Sequence, residues 1–380
     1  MQLLMRPLCD ELNAKNFRPF GGPIYGDFAV KRKTRFIASL ASTLAAALFS
    51  QYAAATTTCD RACLTHVADG LLGSMVAHDP SALPLSTGYK ATENAVPAAL
   101  SMMTIWRTAT GIKHKYYVID PKSEQLFLVV TISEGAGNAL LFGRLKVRDQ
   151  SISEIELYTD RSRSDGGFQF DADGLGKLPD AWTIDLAPQR RASRAQLISA
   201  GRSIFDTDPA LTSPPFAASC VMMENGKVVA ENPDVLKEVM PPPDKSQPSL
   251  PPLHQNADGT VSIPCGSPPF RPTDRHARTD IVDEEQSVVV SLATVPGVVE
   301  PYVITKPTES AFVPDAMLKP YVDMLTKQQA SGRFVLAALK PTRASVTVAQ
   351  MHRIYDGKVQ GMHLLEKLGP PEAMSPWVEK

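Results

Sequence analysis

Hydrophobic and polar positions alternate across Gln350–Leu365, QMHRIYDGKVQGMHLL, and the two alternating runs meet at Asp356-Gly357. Period-two alternation marks a strand that buries one face, and Asp-Gly suits the two positive-φ positions of a type I′ turn. The stretch therefore predicts a β-hairpin. A second version sits earlier, at Arg144–Leu157, RLKVRDQSISEIEL. Val147 matches Ile354, Asp149 matches Asp356, Ile152 matches Val359, Ile155 matches Met362 and Leu157 matches Leu364. The chain reads as one fold used twice.

The flanking patterns extend the repeat. From Cys59, the residues Leu64, Val67, Leu71 and Met75 fall at helical spacing, and Asp79-Pro80 ends that helix. Pro84–Asn94 reads as a loop, and Val96–Met103 as a short apolar segment leading to Trp106. Strands are expected at Ile112–Asp120, Gln125–Ile132, Ala139–Val147 and Ser151–Tyr158. A polar, Gly/Asp-rich join follows. A second helix is expected at Ser193–Phe205, opened by a Ser193/Gln196 capping box, with Leu197, Gly201, Ile204 and Phe205 as its buried stripe. Thr279–Val290 mirrors Tyr116–Phe127 and sets Asp283 opposite Asp120. Two insertions distinguish the second copy: Pro-rich 241–272, and 297–331 with a helix expected at Pro320–Gln329, proline first.

The expected class is α+β: two tandem cone-shaped domains, each a helix packed on a bent antiparallel sheet. The expected boundaries are an N-terminal extension and signal peptide at 1–55, a first domain at 56–160, a linker at 161–188 and a second domain at 189–380.

Composition narrows the function classes. With 380 residues, 43% hydrophobic and 21% charged, the chain is globular. A net charge of −1 carries no electrostatic footprint for nucleic acid. Lys31–Arg35 is basic, Phe36–Phe49 is uncharged and mostly apolar, and Ala53-Ala54-Ala55 offers small residues for cleavage. This is the order of a secretory signal peptide. The residues before it point to a start at Val30 if its codon is GTG. Cleavage after Ala55 leaves no membrane segment and a periplasmic or secreted chain. It also leaves four cysteines: Cys59, Cys63, Cys220 and Cys265. Three pairings are open; spacing favours Cys59 with Cys63 and Cys220 with Cys265. The clustered His or second close Cys pair of a zinc site is missing from the sequence, so no metal is expected.

Asp79-Pro80, Glu93-Asn94, Trp106, Tyr117–Asp120 and Arg144–Val147 recur in order with Cys220, Glu224-Asn225-Gly226 and Val282–Glu285. In this arrangement the chain resembles the nuclear transport factor two-like (SnoaL-like) superfamily, and within it an uncharacterised secreted domain of fungi and bacteria. The resemblance covers nearly all of Cys59–Trp377. It implies polar groups inside each cone and association through the open sheet face, hence an internal pseudo-dimer and scope for a homo-oligomer. It does not fix an activity, because this superfamily hosts isomerases, dehydratases and plain binding modules alike.

Candidate chemistry then depends on which polar side chains point inward. Strict alternation sets His114 and Tyr116 beside Ile112 and Val118, inward, as an acid/base group and a hydrogen-bond donor. His352 shares the face of Ile354 and should also point inward; His363 should point out. The blander reading of each, and the one the pattern favours, is a buried scaffold residue with local partners. Trp106 and Tyr89 are expected as pocket walls, Asp120 and Asp283 as turn caps, and Arg144, Arg278 and Glu93 as ion-pair partners within the sheet. No phosphate loop, dinucleotide fingerprint, H-E-x-x-H or G-x-S-x-G is present, and no cofactor is expected. The resulting expectation is an exported pocket protein for a small, mostly apolar organic molecule, as a cofactor-independent lyase or isomerase. The alternative is a non-catalytic binding or protein-interaction module.

Overall fold

The structure, a computed structural model, describes residues 58–161, 166–206, 208, 210–229, 254–255, 261–262, 265–266, 277–300, 310–331, 340–371 and 377. The expected signal peptide and most of the Pro-rich insertion lie outside the described residues.

Helix α1 (Arg61–Val76) buries Leu64, Val67, Leu71 and Met75, and its N-cap Asp60 accepts from the Cys63 amide. Strands β1 (Leu85–Glu93) and β2 (Val96–Pro97) follow, then a single 3₁₀ turn, helix α2 (Thr104–Thr108) and strands β3 (Gly111–Asp120), β4 (Gln125–Glu134), β5 (Gly137–Arg148) and β6 (Ser151–Asp160). They form a six-stranded sheet in the order β2-β1-β6-β5-β4-β3. The strand β1 replaces the loop expected at Pro84–Asn94, and it pairs parallel to β6. Its pattern misled because only Thr92 in it is buried, so little of the strand carries the alternation of a half-buried strand.

The second half repeats this plan. After helix α3 (Asp180–Thr183) in the join come α4 (Arg194–Phe205), β7 (Phe216–Glu224) and β8 (Lys227–Val228), then the short pair β9 (His254–Gln255) and β10 (Val261–Ser262). Strands β11 (Arg278–Asp283), β12 (Val288–Glu300) and β13 (Ala311–Pro314), helix α5 (Asp315–Ala330), and strands β14 (Thr342–Tyr355) and β15 (Lys358–Gly369) complete it. The main sheet runs β11-β12-β14-β15-β7-β8, with β13 added on β12. Strand β7 is parallel to β15, as β1 is to β6. The Ser193/Gln196 capping box forms as expected. Both hairpins close on two positive-φ residues, Asp149-Gln150 and Asp356-Gly357. Asn94 and Asn225, both at positive φ, each donate from their backbone to Leu157 or Leu364 at 2.8 Å. Their side chains accept from the amides of Thr159 and Glu366.

Helix α5 begins five residues before the expected start and carries Pro320 inside it. The signal for its N-terminus was Pro314-Asp315, not Pro320: Asp315 stands in the first turn and pairs with Arg343 at 2.6 Å. Gly297, expected in the insertion, belongs to β12, whose pairing with β14 extends from Val288 to Val299.

The two sheets pack against each other. One face of the first sheet lies under α1, in a core of Leu64, Leu71, Trp106, Leu126, Leu128, Leu145 and Leu157. One face of the second lies under α4, around Leu197, Val289, Ile354, Val346 and Val348. The remaining faces share a third core, in which Phe127, Val129 and Phe142 meet Val288, Val290, Met351 and Leu365, with Trp182 and Leu175 of the join between them. The layers are helix, sheet, sheet, helix. Burial on both faces explains why Gln125–Ile132 reads as a continuous apolar run rather than an alternating one.

The halves are also tied reciprocally. Arg61 opens α1 and reaches Asp283 of the second sheet at 2.5 Å. Arg194 opens α4 and reaches Asp120 of the first at 2.6 Å. Both aspartates cap their own turns as expected, Asp120 through Lys122 and Asp283 through Glu285 and Gln286. Asp283 further accepts from the Ile119 amide across the interface. The disulfides are Cys59–Cys63 and Cys220–Cys265. No helix among the described residues is long and apolar enough to cross a membrane.

The Asp283 side chain is fully buried, so Asp283→Ala leaves three backbone amides without their acceptor and Arg61 with Glu285 alone, and should cost about 3–5 kcal/mol. Breaking the surface pair Arg343–Asp315 should cost under about 1 kcal/mol. Urea unfolding of both variants checks the contrast.

Candidate functional site

The compartment beneath α1 is filled. Glu93 caps α2 by accepting from the amides of Thr104 and Ile105 at 2.8 and 3.1 Å. That fixed turn drives Ile105 and Trp106 into the core, where the indole donates to Ser74 Oγ at 3.1 Å. Tyr89 packs on the margin of the same cluster. Trp106 and Tyr89, expected as pocket walls, both pack on this core, Trp106 fully buried from α2 and Tyr89 partly buried at its edge. Arg144 and Arg278 do pair within the fold, both on the buried Glu156.

His114 and Tyr116 face the other way. The β3–β4 register shifts between Ile112 and His114, and such an irregularity re-aims side chains. Ile112, Tyr117 and Ile119 pack toward α1, whereas Tyr116 and Val118 pack toward the second sheet. The expectation that His114 and Tyr116 enter the cone is corrected accordingly. His114 is half-buried against the join, where a Cβ on Gly176 would stand 2.5 Å from its Nε2. The Tyr116 ring meets Trp182 edge-on at 6.0 Å, and burial pushes its phenol well up. His363 does point away from α4, but not into solvent: the opposite face is the sheet–sheet core. There its Nε2 accepts from the Gly226 amide at 3.1 Å, and burial lowers the imidazole to about 3.

The compartment beneath α4 is different. Val346, Val348, Gln350, His352 and Ile354 alternate along one face of β14. The repeat sets Gly143 where Gln350 stands, Leu145 where His352 stands and Thr159 where Glu366 stands. The first sheet has no room for a side chain at 143, since a Cβ there would lie 2.0 Å from the Glu156 carbonyl. The second sheet carries a glutamine instead. Gln350 Nε2 contacts His352 Nε2 at 2.7 Å and Met362 Sδ at 3.2 Å. The Phe216 ring stands edge-on to the imidazole at 6.2 Å.

An amide nitrogen can only donate, so His352 Nε2 accepts and its proton sits on Nδ1. That Nδ1 and Gln350 Oε1 are both buried without a partner. Burial lowers the imidazole to about 4, leaving it neutral at pH 7. Farther along the sheet, the buried Glu366 carboxyl is held well above the usual carboxylate range by burial and by Glu224 and Asp160. A pocket of about 720 Å³ opens between α4, residues 212–214 and the β14–β15 turn, with Ile354 in its wall. The Cys220–Cys265 bridge draws residue 265 onto this compartment's core. Gln350 and Glu366 escaped the sequence reading; the repeat held a signal for Gln350, a polar residue where the other copy has Gly143, but not for Glu366, whose counterpart Thr159 is polar too.

A family model described as a domain of unknown function (DUF8021) matches residues 190–365, from just before α4 into β15. No curated protein and no solved structure gives a match. The matched segment contains Phe216, Gln350 and His352. Chemically, the imidazole Nδ1–H can donate and the amide Oε1 can accept, and with Nε2 turned to Gln350 the two point in different directions. Among the described residues no His, Cys, Asp and Glu group is arranged to hold a metal ion.

Each unmade buried hydrogen bond costs about 1–3 kcal/mol. The double variant Gln350→Leu/His352→Phe should therefore be at least as stable as the wild type at pH 7 in urea unfolding. The His352 value of about 4 lies below the ordinary 6.5. Its contribution is thus complete above about 6.5 and lost as pH falls toward 4, up to about 3 kcal/mol. His352→Phe should lose less stability than wild type between pH 7 and pH 4.5.

Proposed function

We propose that residues 56–160 and 189–380 are tandem SnoaL-like domains joined as an internal pseudo-dimer, and that the second is the working one. It takes up a small, mostly apolar organic molecule whose polar groups accept from His352 Nδ1 and donate to Gln350 Oε1. The observation that carries this reading is a buried donor and a buried acceptor left without partners on neighbouring inward-facing residues of β14, in the half that lacks a filling helix like α2 among its described residues. The duplication is supported by the matching strand orders and the reciprocal Arg61–Asp283 and Arg194–Asp120 ties. Export is supported by two disulfides, which persist in oxidising compartments.

A neutral imidazole can polarise a carbonyl and stabilise negative charge developing on its oxygen. This suits a cofactor-independent isomerase or lyase. Binding without turnover would use the same two contacts. His114 and Tyr116 have no part in either, since they serve the opposite sheet face. The pocket against Ile354 supports entry from that side: Ile354 stands two residues along β14 from the buried His352, and reaching the imidazole requires the wall at Ile354 and Phe216 to open.

A thermal-shift screen of small ketones, carboxamides and carboxylic acids tests the proposal. One class should stabilise the wild type, and its affinity should fall about tenfold in His352→Phe or Gln350→Leu. Unchanged affinity in both variants overturns the site. NMR of the bound compound over time then separates turnover from storage.

A further inference from the structure

We infer that the sheet–sheet core holds a second, separate site, built from Arg353, Trp182 and Tyr116, for a small monoanion. Arg353 follows His352 on β14 and so points away from α4, into the interface, where it is only 3% exposed. One of its terminal nitrogens donates to the Ile184 carbonyl. Its Nε is buried with no partner, and it forms no ion pair among the described residues. The nearest influential carboxylates are Asp283 and Asp185. Asp283 is already committed to Arg61, and Asp185 lies exposed on the surface.

Two neutral donors converge on the same region. Trp182 is 2% exposed, and its Nε1 has no partner. That nitrogen rests over Gly361, where a Cβ would stand 3.0 Å away, and Gly361 is the cross-strand partner of Arg353. The Tyr116 ring is edge-on to the same indole at 6.0 Å, with its hydroxyl also buried and unpartnered. The charge acting most strongly on that hydroxyl is Arg353's.

The constellation is thus a guanidinium Nε–H, an indole N–H and a phenol O–H, each without an acceptor, on a cation whose other contacts are the Ile184 carbonyl and the Tyr355 ring at 5.8 Å. A buried guanidinium without a counter-charge is strongly unfavourable, and unpaired buried donors add to the cost. A water molecule would satisfy donors but leave the charge. A monoanion satisfies both, and one arginine balances one negative charge. Halide ions and the carboxylate of a small acid share this chemistry.

Thermal unfolding of the full disulfide-bonded chain at fixed ionic strength tests the site, with sodium chloride, bromide, formate or sulfate as the varied salt. The melting temperature should rise saturably with a monoanion and not with sulfate. A rise with chloride and bromide alone assigns a halide site; a larger rise with formate assigns a carboxylate site. Tyr116→Phe, which keeps the ring packing, should weaken the apparent affinity about tenfold, and Arg353→Met should remove the anion dependence. In crystals grown in bromide, an anomalous peak should lie within contact of Arg353 Nε and Trp182 Nε1. Melting temperatures that follow ionic strength alone, or an ordered water at that position with no anomalous signal, overturn the inference.

Discussion

Burial of both faces of both sheets is the constraint on which the rest of the structure depends. Each sheet packs one face under its own helix and the other on its counterpart, so a polar atom without a partner in the shared core is costly. The shared core of Phe127, Phe142, Val290 and Met351 needs the halves held in one register. The Arg61–Asp283 and Arg194–Asp120 pairs sit where each helix starts and each opposite turn begins. They convert an apolar contact, which is non-directional, into a specific one. Trp182 from the join fills the same layer, so the segment between the halves is part of the core and more than a tether.

Much of this was legible locally. The hairpin turns, the α4 capping box, the α1 stripe and the Cys59–Cys63 pair all rest on residues within about a dozen positions of one another, whereas Cys220–Cys265 spans 45 and followed from elimination among four cysteines. What escaped depends on distant partners. The edge strand β1 has almost no buried residue to betray it. The irregularity after Ile112 turned His114 and Tyr116 to the other face, and only the pairing of β3 with β4 reveals it. His363 was correctly directed away from α4, yet it is buried, because the far side of its strand is another sheet. The inward facing of His352 was legible because its β14 neighbours keep strict alternation.

The two halves differ in what they do with the space beneath the helix. In the first, α2 seals it with Trp106, and Leu145 and Gly143 keep it apolar. In the second, Gln350, His352 and Glu366 make it polar at a cost in stability that nothing in the described fold offsets. Polar groups retained at such a cost point to a role outside folding. The repeat acts as an internal control: the same scaffold without the polar set shows what the fold alone requires.

The most direct measurement is an experimental electron-density map of the wild-type protein, centred on the 2.7 Å contact between Gln350 and His352. A bound molecule that accepts from His352 Nδ1 and donates to Gln350 Oε1 is the expected result. A compartment closed around those two atoms by the protein's own apolar side chains, with no ligand or space for one, would contradict a binding role for the second half.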